Sequence, residues 1–200
     1  MKRLSIFVAL AIVSLLADAR TASADLVVSF TEMGGSVVTS ISGSIDLTGL
    51  SNVGDVPESI SVRPSNGTFY VGSTSGIPHE HYFVPSSVVR TGPLSFGSGG
   101  YTAATSGSGD FIGFTANSGN FNIYLPENYV SNTLVTGTAN YAGESFASLG
   151  IDPGVYTWNA GANQITATIA AVPKPSSVAF LMIAGLGAGV VRFRHRRRTA

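Results

Sequence analysis

Residues 36–47 read Ser36-Val37-Val38-Thr39-Ser40-Ile41-Ser42-Gly43-Ser44-Ile45-Asp46-Leu47. Val37, Thr39, Ile41, Gly43, Ile45 and Leu47 fall on one parity, and the mostly polar Val38, Ser40, Ser42, Ser44 and Asp46 fall on the other. Successive side chains of an extended strand point to opposite faces, so a period of two predicts a strand with one buried and one wet face. Just before it, Leu26, Val28 and Phe30 alternate in the same way, and Met33-Gly34-Gly35-Ser36 has turn chemistry. Residues 25–50 therefore read as two strands.

The same pattern recurs outward from this pair. Residues 60–63 and 68–71 are short strands around Pro64-Ser65-Asn66-Gly67, where Asn and Gly tolerate the positive φ of a tight turn. His79-Glu80-His81-Tyr82-Phe83-Val84 leads into Pro85. Ser106-Gly107-Ser108-Gly109 precedes Asp110-Phe111-Ile112-Gly113-Phe114, and Phe121, Ile123 and Leu125 alternate up to Pro126. Residues 133–141 are β-prone, and 146–149 suggest a short helical turn. Asp152-Pro153-Gly154 turns the chain into Val155-Tyr156-Thr157-Trp158, and residues 164–169 alternate again. Residues 50–57 and 73–78 read as loops, and residues 94–104 are Gly/Ser-rich with two aromatics, Phe96 and Tyr101. About eight to ten short strands without a sustained helical period predict an all-β domain over 25–171, an antiparallel β-sandwich or jelly roll. No repeat of fixed period points to a solenoid or propeller.

Composition agrees with strands joined by Gly-rich turns. The chain has 24 Gly and only 11% charged residues. It has no cysteine, which excludes disulfides, thiolate catalysis and Cys zinc sites. The formal net charge of zero conceals a strong asymmetry. Residues 25–171 hold ten acids and two cations, Arg63 and Arg90, for a net charge of −8 before histidines. Such a domain has no electrostatic footprint for nucleic acid.

The two ends have a different character. Met1-Lys2-Arg3, an apolar run and Ala22-Ser23-Ala24 have the three-part layout of a secretory signal peptide over 1–24, with cleavage after Ala24. At the other end, Val172-Pro173-Lys174-Pro175-Ser176-Ser177 cannot extend a strand or helix, because two prolines fix φ and remove donors. The uncharged run is 178–191, and with Ser176, Ser177 and Phe193 counted the span is about 18 residues, at the lower limit for a membrane-spanning helix over roughly 176–193. Arg192, Arg194, Arg196, Arg197 and Arg198 follow and would anchor on the cytoplasmic side.

This arrangement over 172–200 resembles the PEP-CTERM protein-sorting signal, which has a Pro-Glu-Pro motif, a short transmembrane helix and a basic end. Such signals occur in exported proteins of Gram-negative, matrix-producing bacteria. The resemblance implies recognition and cleavage near Pro173, Lys174 and Pro175 by an exosortase, a membrane-embedded processing enzyme. It also implies transient inner-membrane anchoring with the β domain in the periplasm, then release to the cell surface or exopolysaccharide matrix. Lys174 departs from the motif, standing where the family carries Glu. Residues 42–50, 123–131 and 146–158 also look like the Gly-rich domain common in this family, for which the resemblance implies class and location but no activity.

Within the domain, His79-Glu80-His81 is the only dense titratable cluster. On a strand His79 and His81 share a face and could bind zinc or copper, but no third ligand is evident and a surface strand end is the simpler reading. The acids lack a calcium-loop pattern. Gly72-Ser73-Thr74-Ser75-Gly76 puts Thr where a nucleophile elbow needs Ser. Tyr82, Phe83, Tyr101, Tyr124, Tyr129, Tyr141, Tyr156 and Trp158 could stack on sugar rings, although at strand spacing most belong in a core. No cofactor and no catalytic activity is expected. The expected protein is an exported surface or matrix β domain with the exosortase, the membrane and exopolysaccharide as partners. The alternative is a secreted carbohydrate-binding module.

Overall fold

The two strands expected over residues 25–50 form and pair. β1 (Asp25–Met33) and β2 (Ser36–Gly43) run antiparallel, from Leu26 opposite Gly43 to Met33 opposite Ser36. The structure, a computed structural model, describes residues 24–55, 57–73, 79–117 and 120–171. The other face of the hairpin's second strand pairs with β12 (Val135–Ala142), and β9 (Ser106–Gly109) forms the edge beyond it. On the far side of β1 stand β14 (Asn163–Ala171), β13 (Gly154–Ala160) and β7 (Arg90–Thr91). This first sheet has the order β7-β13-β14-β1-β2-β12-β9.

The second sheet is built from β3 (Ser51–Asn52), β4 (Ser61–Arg63), β5 (Thr68–Val71), β6 (His79–Phe83), β8 (Thr102–Ala103), β10 (Ile112–Thr115) and β11 (Asn122–Pro126). Its order is β3-β6-β11-β10-β5-β4-β8. The chain is thus all-β and sandwich-like. Among the described residues its one α-helix is α1 (Phe146–Leu149), the short turn expected there. A Ser145–Ser148 capping box starts that turn, and the Glu32 carboxylate accepts the Phe146 N–H at 2.7 Å.

Alternation decides what is buried. Val37, Thr39 and Ile41 are all buried at 2% exposure or less, as their parity requires. In the second sheet Val62, Phe69, Val71, Ile112, Phe114, Ile123 and Leu125 point into the same core. Aromatic rings interlock between the sheets. The Phe69 ring lies 6.0 Å from Phe30 and 6.1 Å from Trp158, and Trp158 lies 5.2 Å from Phe114. Such pairs add to simple area burial. Trp158 is fully buried, with its Nε1–H donating to the Pro93 carbonyl at 2.6 Å.

Two polar side chains tie the strand ends together. The Tyr129 hydroxyl accepts the Ile45 N–H at 2.8 Å and donates to the Thr133 carbonyl at 2.8 Å. Buried Asn163 accepts the Asp46 N–H at 2.7 Å and donates back to the Asp46 carbonyl at 2.9 Å. Both residues satisfy backbone groups where β2 has ended, so Ile45 stays in the core without a ladder partner.

The strands exceed the expected eight to ten. Fourteen are found among the described residues, and β3, β7 and β8 have two residues each. β3 lies in the stretch read as a loop and β8 in the Gly/Ser-rich stretch 94–104, because two residues cannot display a period of two. Residues 94–104 are less open than their Gly/Ser-rich composition suggests. Phe96 is 1% exposed, and its N–H donates to the Pro64 carbonyl. The Asn-Gly turn forms as expected, with Gly67 at φ 55 closing a 3-10 turn over Pro64–Asn66.

The expected cleavage site places Asp25 first in the mature chain, and Asp25 is also the first residue of β1. The buried Ala24 carbonyl accepts the Gln164 N–H at 3.2 Å. Ala22, the rest of the expected signal helix, Pro173, Lys174, Pro175, the 176–193 segment and the five arginines lie outside the described residues. Among the described residues no helix is long and apolar enough to cross a membrane.

Candidate binding groove on the second sheet

Register builds an outward-facing platform on the second sheet. Ser61 stands opposite Tyr70, Tyr70 opposite Gly113, Gly113 opposite Tyr124, and Tyr124 opposite His81. These form one row across five strands, since directly paired residues share a face. The parallel row two residues along carries Arg63 opposite Thr68, and Thr115 opposite Asn122. The two rows floor an open groove of about 430 Å³. Asn66, Tyr101, Asn117 and Asn120 rise around it from neighbouring turns, and Glu58 stands on its margin.

Gly113 makes the platform possible. A Cβ there would lie 2.1 Å from Cδ1 of Tyr70. The bare backbone lets the Tyr70 ring lie across the middle of the sheet. Tyr70 meets Tyr124 edge to face at 5.0 Å and stacks beside Phe111 at 6.0 Å. Its hydroxyl lies 3.1 Å from Thr115 Oγ1, and Thr68 Oγ1 donates to the same oxygen at 3.3 Å. Burial pushes the Tyr70 and Tyr124 phenols above their ordinary range, so both stay neutral and able to donate. Burial also raises the Glu58 carboxyl, while the charges of His79 and His81 pull it down.

His79 and His81 do share a face, as their spacing predicts. Each ring is held by an aromatic neighbour. His79 stacks on Phe111 at 4.2 Å and is 5% exposed, and His81 stacks on Tyr124 at 4.6 Å. Nε2 of His81 donates to Asn122 Oδ1 at 3.0 Å. Among the described residues no three His, Cys, Asp or Glu side chains group as metal ligands. The stacked ring of His81 packs against Tyr124, which lines the groove.

The aromatics divide as strand spacing suggests. Tyr82, Tyr124, Tyr129, Tyr141 and Trp158 are buried. Tyr101 is 61% exposed, and Phe83 and Tyr156 are half-buried. Of the eight, Tyr101 alone combines an exposed ring with a place on the groove. Sequence reasoning did not find Arg63, Asn66, Thr68, Tyr70, Thr115, Asn117, Asn120 or Asn122. The nearest signal was the run of asparagines at 117, 120 and 122 around a strand start. Compared with known proteins, the chain matches no family model, no curated protein and no solved structure.

Proposed function

We propose that this is a non-catalytic, exported β-sandwich protein of the cell surface or extracellular matrix that binds glycan in the second-sheet groove. The observation that carries this reading is the groove's chemistry. It has a floor of Tyr and Thr hydroxyls, a rim of side-chain amides and one exposed tyrosine ring. An amide both donates and accepts, which matches the hydroxyls of a sugar. An exposed tyrosine offers an apolar face to a sugar ring and a polar tip to water. The volume is in the ordinary range for ligand sites.

Other ligands fit less well. A nucleic-acid backbone is held by a series of Lys and Arg contacts along consecutive phosphates, and the groove offers one arginine. A peptide adding as a strand needs a free sheet edge, and the groove lies on a face whose backbone is already paired. Delivery rests on the two ends of the sequence. The signal peptide exports the chain, and the Pro173-Lys174-Pro175 segment with its apolar run and arginines presents it to an exosortase at the inner membrane.

The test uses protein recovered from the exporting cells. Intact mass is expected to place its ends at Asp25 and near Pro173–Pro175. The protein is expected to be retained on at least one column of an immobilised polysaccharide panel. Tyr101→Ala should weaken that retention by about tenfold, the loss of roughly 1.4 kcal/mol. Its urea midpoint should not move, since Tyr101 is exposed. Passage of the parent protein through every column would sink the glycan reading, and a retained tail would sink the delivery account.

A further inference from the structure

Between residues 25 and 171 the chain has only two cations against ten acids. One of them, Arg90, is committed to the fold, with Nη1 donating to the Val84 carbonyl at 3.3 Å. The other, Arg63, is exposed at the groove. Among the described residues no hydrogen bond or ion pair engages its guanidinium. It shares its end of the groove with the Thr68–Thr115 hydroxyls and with Asn66, all neutral. Among the described residues the lining holds one acid, Glu58, which feels the charges of His79 and His81.

We infer that the groove selects acidic polysaccharide, with Arg63 receiving the carboxylate of a uronic-acid residue. This rests on the glycan-binding reading and names the glycan's class. A planar guanidinium presents paired N–H donors in the spacing of a carboxylate, and such charge-assisted pairs are about twice as strong as neutral hydrogen bonds. A neutral sugar would leave that donor fork to water. The acidic surroundings do not forbid the pair. Exposed charges more than about 8–10 Å away are screened at physiological salt, whereas a carboxylate in contact with Arg63 is not.

The test compares polygalacturonate with the same polymer after reduction of its carboxyls to primary alcohols. Binding of the exported protein is measured by affinity electrophoresis or calorimetry. The expected result is at least about tenfold tighter binding to the acidic polymer, the effect of one charge-assisted contact. Arg63→Ala should reduce binding of the acidic polymer to the level of the reduced one, and Arg63→Lys should restore part of the difference. Equal binding of the two polymers, or a preference that survives Arg63→Ala, overturns the carboxylate assignment and leaves glycan binding standing. Binding confined to neutral glycans overturns it in the same way. Failure to bind any glycan removes the underlying reading as well.

Discussion

Trp158→Ala is expected to lower the free energy of unfolding by about 3–5 kcal/mol, the usual cost of emptying a large buried aromatic site. Trp158 is the chain's one tryptophan, is fully buried, and touches rings contributed by both sheets. Its removal leaves a cavity between layers that cannot close without moving Phe69, Phe96 and Phe114. It also leaves the Pro93 carbonyl without its 2.6 Å donor. Domains of this kind are stable by only about 5–15 kcal/mol, so the variant should sit near the edge of folding at 37 °C. Trp158→Phe keeps most of the ring volume and loses the donor, so its cost should be about 1–3 kcal/mol. Urea unfolding followed by far-ultraviolet circular dichroism measures both. A Trp158→Ala variant within 1 kcal/mol of the parent would show that the sheets do not pack through this residue.

The second large effect is expected at Gly113. Replacing glycine by valine in a strand ordinarily gains up to about 1 kcal/mol, because β-branched side chains suit the pleat. Here the added Cβ would fall 2.1 Å from the Tyr70 ring, well inside contact distance. Overpacking of this kind costs about 1–3 kcal/mol, so the clash outweighs the propensity and Gly113→Val should be destabilising. The more informative consequence lies in the groove. The Tyr70 ring must leave, and with it go the contact with Thr115 and the edge-to-face packing on Tyr124. Glycan binding should fall by about a hundredfold or more, the loss of some 2.8 kcal/mol, even under conditions where the variant is fully folded. The change is read by the same retention and calorimetry as for Tyr101→Ala. A neutral or stabilising Gly113→Val with intact binding would mean that Tyr70 does not lie over this glycine.

Much of the fold was legible because burial of one strand face imposes a period of two. Val37, Thr39 and Ile41 declared their inner face, and Phe121, Ile123 and Leu125 did the same in the second sheet, whereas Thr68–Val71 and Ile112–Thr115 are buried at every position and show no period. The turn at Asn66-Gly67 was legible because few residues accept the φ of 55 found at Gly67. The two-residue strands had no period to show. Strand order was not legible either, since β2 finds β12 roughly a hundred residues away in sequence, and that pairing follows from packing rather than local pattern.

The groove was hidden for the same reason. Arg63, Thr68, Thr115 and Asn122 become neighbours only through the registers of β4 with β5, β5 with β10, and β10 with β11. Each alone is an unremarkable outward polar residue. Gly113 carried no signal of its own in the sequence, and its meaning depends on a tyrosine 43 positions earlier. The histidines were the reverse case. His79-Glu80-His81 stood out in sequence as chemistry, and the fold uses its rings for stacking on Phe111 and Tyr124.

Hydrogen–deuterium exchange of the exported protein, with and without the polysaccharide that retains it, tests the location of the site most directly. Slower exchange is predicted across residues 61–70 and 112–124, the strands and turns that floor and rim the groove. Residues 36–43 and 135–142 in the first sheet should be unchanged. Protection confined to the first sheet, or bound glycan that leaves 61–70 and 112–124 unaltered, would contradict the account.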